Sequence, residues 1–170
     1  MSLPAVTWAA VLGPGPGSVD QGLAGLLAFL TASPPSTPTS SPHGLLAVPT
    51  AHHAALLAAL PPALGEPVGA DWPSTLPNGF HRLNLGPWVL TLCVGPVLAS
   101  VAQWHGRAQH LWVGGDWPAD LEPFSSLARP LARQCAHGAT LALALPPTST
   151  APWAQAGFVA TTPGHWHYQP

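Results

Sequence analysis

A chain of 170 residues, 47% of them apolar, is long enough for one domain with a sizeable core and too apolar for disorder throughout. Charged residues make up only 6%, against about 25% in ordinary domains. With no lysine and only Arg82, Arg107, Arg129 and Arg133 as strong bases, the composition excludes a P-loop and argues against tight unaided binding to RNA phosphates. Proline (23) and tryptophan (8) are in excess, a composition produced either by a biased coding sequence or by a surface that works against a partner. No run has the length and purity of a membrane span, and the first residues carry no basic stretch of a secretory signal. Cys93 and Cys135 are expected to be reduced thiols of a cytoplasmic protein.

The apolar run Val6–Leu12 predicts a buried strand. Gly13, Gly15 and Gly17 follow at alternate positions, and Val19, Leu23, Leu26, Leu27 and Leu30 then fall on one face of a helix. Strand, glycine turn and helix open a nucleotide-binding unit. The glycines let the backbone approach a ligand, and the helix start offers unpaired N–H groups with a partial positive charge. Pro14 and Pro16 fill the positions between the glycines and donate no N–H. A full dinucleotide fingerprint would need glycine at Ser18. The loop is therefore either a cofactor cradle poor in donors or a tight turn without a ligand.

Ser33–Pro42, SPPSTPTSSP, is a low-complexity flexible loop. Leu45–Val48 predicts a second strand, and His52–Leu60 a helix stopped by Pro61 and Pro62, with His52 and His53 in solvent. Pro61–Asn78 is irregular. Phe80–Leu85 and Trp88–Val94 form a strand pair around Gly86-Pro87, followed by a short helix over Val97–Trp104. Gln109–Val113 is a buried strand ending in Gly114-Gly115-Asp116. Leu121–Cys135 holds one or two helices, with Pro130 as a break or a first-turn residue, and His137-Gly138 closes them. Thr140–Leu145 is a further strand, and Trp153–Ala156 is at most one helical turn. Phe158–Thr161 and Trp166–Tyr168 are joined so closely, through Pro163-Gly164, that they must be antiparallel. Apolar strands alternating with helices predict an α/β domain over residues 1–170: a mostly parallel sheet covered on both faces, with the Val6 strand central.

Several pieces of the chain carry a likeness in their order and spacing. They are Phe80-His81-Arg82-Leu83, Leu90-Thr91-Leu92-Cys93-Val94-Gly95 and Ala132-Arg133-Gln134-Cys135, then Gly138-Ala139-Thr140-Leu141-Ala142 and Ala156-Gly157-Phe158-Val159. Over roughly the whole chain they resemble the methyltransferase domain of the bifunctional tRNA 5-methylaminomethyl-2-thiouridine biosynthesis family. The resemblance implies a Rossmann-like class I methyltransferase sheet with an antiparallel strand near its C-terminus. It implies S-adenosylmethionine as cofactor and methylation of the aminomethyl group on a tRNA wobble uridine. tRNA and an FAD-dependent oxidoreductase, the domain that usually follows in the family, are the implied partners. Carried over residue by residue, it places Gly13, Gly15, Gly17, Gly95, Gly114 and Gly115 at cofactor-binding positions and Asp116 at the catalytic one, provided the loop shifts.

The chain departs from the family where the chemistry resides. Val11 replaces the acid ahead of the glycine loop, and the ribose-binding acid falls at Pro49 or Thr50. The family's Gly-Asp after the third strand is Gly95-Pro96, and its Leu-Asp-Gly aligns with Val113-Gly114-Gly115, two residues short of Asp116. A late basic stretch is replaced by His165-Trp166-His167. The family segment ahead of the glycine loop and the oxidoreductase domain are not expected here. Two readings follow: a tRNA methyltransferase with impaired or lost catalysis, or a non-catalytic module on the methyltransferase fold.

Other constellations are weaker. His165, His167, Cys135 and His137 lack the spacing of zinc ligands and read as surface histidines and a thiol. Ser125-Ser126 lacks the context of a hydrolase nucleophile. Trp72, Trp88, Trp104, Trp112, Trp117, Trp153 and Trp166 are scattered, which favours core or interface packing over base stacking.

Overall fold

A computed structural model of the chain describes residues 5–13, 19–32, 43–86, 88–104, 107–114, 123–143, 151–162 and 164–169. The Ser33–Pro42 loop lies outside the described residues. Strand β1 (Ala5–Leu12) is followed by helix α1 (Val19–Ala32), β2 (His43–Val48) and α2 (His53–Ala63). Next come β3 (Gly79–Leu85), β4 (Trp88–Val94), α3 (Val97–Ala102) and β5 (Arg107–Gly114). The chain closes with α4 (Pro123–Gln134), β6 (Cys135–Leu143), α5 (Ala151–Ala156), β7 (Phe158–Thr162) and β8 (His165–Tyr168).

All the strands join one eight-stranded sheet in the order β3-β4-β2-β1-β5-β6-β8-β7. β1 pairs in parallel with β2 and β5, β2 with β4, and β5 with β6. β3 is antiparallel to β4, and β8 is antiparallel to both β6 and β7. β7 therefore runs in the same direction as β6. The Val6 strand is central, as its continuous apolar run requires of a strand covered on both faces.

The side-chain alternation of β1 divides the core. Trp8, Ala10 and Leu12 pack with Leu23, Leu26 and Leu30 of α1 and Leu56, Leu57 and Leu60 of α2. Ala9 and Val11 face the opposite layer, with Val101, Leu127, Leu131 and Trp153 from α3, α4 and α5. A one-residue slip of β1 would exchange these two sets, so both layers fix its register.

Several elements differ from their sequence pattern, each for a tertiary reason. Helix α2 runs through Pro61 and Pro62 instead of stopping before them. Pro61 has no N–H for the Leu57 carbonyl, and the Trp72 indole N–H donates to that carbonyl instead, at 2.8 Å. Helix α4 is continuous across Pro130. Burial of Leu127, Ala128, Leu131 and Ala132 on one face outweighs a proline cost of about 3 kcal/mol. Strand β6 begins at Cys135, directly after α4, where the sequence pattern predicts the end of a helix. Its pairing with β5 jumps from Ala108↔Cys135 to His110↔Thr140, so residues 136–139 bulge out. His53, expected in solvent, is buried.

Two half-buried histidines make cross-strand bonds to threonines. The His43 ring lies 3.1 Å from the Thr91 hydroxyl, and the His110 ring 2.9 Å from that of Thr140. Burial lowers the pKa of both rings, and the Arg82 charge lowers that of His43 further. Below the ordinary histidine value of about 6.5, the unfolded chain thus binds more protons than the folded one. Stability should be full above that value and decline as pH falls through the lowered folded values. Thermal melts from neutral to mildly acidic pH should show the decline, with a shallower slope in the His43→Gln, His110→Gln double variant. An equal slope in the two proteins would remove these rings as the cause.

Candidate functional site

Parallel strands place their carboxyl ends along one edge of a sheet. Here Leu12-Gly13, Val48-Pro49, Val94-Gly95 and Val113-Gly114 end together on that edge. The ladder persists to the last residues: the Gly13 N–H donates to the Gly114 carbonyl at 2.8 Å, and the Gly95 N–H to that of Val48 at 3.1 Å. After β1 the chain crosses to β2 on one side, while β5 lies on the other. Such a reversal opens a crevice above the strand ends, where open α/β sheets bind ligands. Gly13 and Gly114 therefore meet at this crevice, and Gly95 ends β4 on the same edge, with β2 between it and β1. Gly15, Gly17, Gly115 and Asp116 lie outside the described residues.

Gly95 has a backbone reason to be glycine. Its φ of 133° lies where side chains are strained, and a Cβ there would sit 3.5 Å from the Asn78 side chain. The polar groups beside it are neutral. The Thr50 hydroxyl donates to the Asn78 carboxamide oxygen at 2.7 Å, next to the end of β2. Thr50 is one of the two positions where the resemblance puts a ribose-binding acid, and the other, Pro49, has no polar side chain. Asn78 was not singled out from the sequence. Its signal is the Asn78-Gly79 pair that turns the chain into β3.

His53 anchors this corner. Its Nδ1–H donates to the Thr50 carbonyl at 2.6 Å, and its Nε2 accepts from the Leu76 N–H at 3.0 Å. One buried ring thereby ties the turn after β2 to the irregular stretch that ends at Asn78, which fixes the Thr50–Asn78 bond.

No activated nucleophile borders the described part of the crevice. Burial pushes the Cys93 thiol up to about 11, more than the Trp104 indole N–H, bonded to its sulfur at 3.1 Å, lowers it. Cys135 is pushed up to about 12, again by burial. Both are thiols and unreactive at neutral pH. Among the described residues no three His, Cys, Asp or Glu side chains gather as a metal site, and no helix is long and apolar enough to cross a membrane.

On the α1 side of the sheet a groove of about 530 Å³ is lined by Phe29, Trp112, Thr140, His165 and His167. Trp8, Trp88, Trp104, Trp112, Trp153 and Trp166 are core residues. Trp72 is half-buried with its indole bonded, and Trp117 lies outside the described residues. Six of the described tryptophans are therefore packed in the core, as their scatter along the sequence favours.

Neither a family model nor a curated protein matches this chain. The strand ends at the crevice carry glycine, proline and neutral polar groups.

Proposed function

We propose that this chain is a decayed S-adenosylmethionine-dependent methyltransferase domain, related to those that complete 5-methylaminomethyl-2-thiouridine in tRNA, and that it now serves as a binding or structural module. The strand order carries the reading. With β3 set aside, the strands that run in one direction lie in the chain order third, second, first, fourth, fifth, sixth, which is the Rossmann-like arrangement. β8 lies antiparallel between β6 and β7, which supports the antiparallel strand near the C-terminus that the resemblance implies.

Loss of activity follows from the residues at the crevice. A charged acceptor is worth about 1.5–3 kcal/mol per hydrogen bond, against about 0.5–1.5 for a neutral one. Thr50 and Asn78 can offer a ribose only the weaker kind, Pro49 and Pro96 offer none, and Pro14 and Pro16 remove loop donors. Gly114 has no carboxylate with which to align an amine nucleophile or take its proton. With four arginines and no lysine, the chain is also poorly equipped to hold tRNA phosphates. Incubation with methyl-labelled S-adenosylmethionine and aminomethyl-bearing tRNA should transfer no label above the protein-free control, and filter binding at physiological salt should show no submicromolar tRNA affinity. Enzyme-dependent methylation of the wobble base would overturn the proposal.

A further inference from the structure

The strong cations of this chain are few, and two of them share a cavity. Arg129 and Arg133 lie one turn apart on α4, both exposed, and both line a cleft of about 830 Å³ between α4 and α5. Like charges four residues apart on a helix repel. Attraction to the helix carboxyl end accounts for Arg133, which is in the last turn, but not for Arg129. No described acidic side chain lines the cleft. Gln155 of α5 and Tyr168 of β8 add an amide and a hydroxyl, while Pro130 and Pro152 supply apolar wall. The volume is in the range of small-molecule sites.

We propose that this cleft is a binding site for a small phosphate monoester: Arg129 and Arg133 hold the phosphate, Gln155 and Tyr168 donate to its oxygens, and the prolines contact a compact apolar body. Guanidinium groups present paired N–H donors that match phosphate oxygens. Two cations balance a phosphate dianion, whereas a carboxylate would leave one positive charge uncompensated. The site is separate from the crevice at the strand ends and does not depend on how that crevice is read.

Phenyl phosphate is the probe, titrated into the full chain by calorimetry, with benzoate and phenol as controls. Saturable binding at millimolar concentration is expected, with benzoate weaker and phenol silent. Arg129→Gln and Arg133→Gln, both at exposed positions, should each weaken binding roughly tenfold while leaving the circular dichroism spectrum unchanged. Affinity should also fall as the pH drops below about 6, where the dianion takes up a proton. No saturable binding, equal binding of benzoate, or undiminished binding in the double arginine variant would each overturn the assignment.

Discussion

Replacing Trp8 with alanine should destabilise the fold by about 3–5 kcal/mol, a large share of the stability of an ordinary domain. Trp8 is 1% exposed on the central strand, edge-on to Trp88 with ring centroids 6.2 Å apart. Its partner across the ladder is Gly44 on β2, and a Cβ added there would overlap the six-membered ring of Trp8. The glycine and the tryptophan are thus one packing unit. Gly44→Ala alone should overpack the core and cost about 1–3 kcal/mol. In the Trp8→Ala background the same change has room and should be close to neutral. A double-mutant cycle by chemical denaturation would show a coupling of more than about 1 kcal/mol, whereas additive costs would separate the two residues.

Trp153→Ala should cost a similar amount, about 3–5 kcal/mol, at the β8-β7 end of the sheet. Trp153 is the buried residue of the six-residue helix α5 and is fully enclosed. It packs edge-on to Phe158 at 5.6 Å and against Trp166 at 6.4 Å, so one ring joins α5 to both strands of the terminal hairpin. Its indole nitrogen has no hydrogen-bond partner among the described residues. A buried unpaired donor costs about 1–3 kcal/mol, so Trp153→Phe, which removes it and keeps an aromatic ring, should be much milder than Trp153→Ala. Hydrogen exchange should show faster opening of β7 and β8 in the alanine variant. Equal losses for phenylalanine and alanine would contradict this assignment of the ring's role.

The sequence was legible wherever local pattern and tertiary packing agree. The apolar run of β1, the Phe80–Val94 strand pair and the antiparallel terminal strands all declare themselves by period and turn chemistry, and all are present. It misled where a distant group overrides a local signal. Pro61 reads as a stop because nothing near it reveals that Trp72 will satisfy the orphaned Leu57 carbonyl. His53 reads as a solvated histidine because its partners, a turn carbonyl and the Leu76 N–H, are backbone atoms that no side-chain pattern marks. The same limit applies at the crevice. Gly13, Gly95 and Gly114 could be placed from strand ends, but the Thr50–Asn78 pair joins residues 28 positions apart through a bond that only the folded chain makes.

Calorimetric titration of S-adenosylmethionine into the full chain tests the proposed decay most directly. A crevice with glycine-shaped walls, Thr50 and Asn78 as neutral acceptors and prolines at 49 and 96 should bind it in the millimolar range at best, a total of about 4 kcal/mol. The Asp116→Ala variant should then titrate like the unaltered chain. Micromolar binding that disappears in Asp116→Ala would contradict the account, because the site would have kept a working carboxylate.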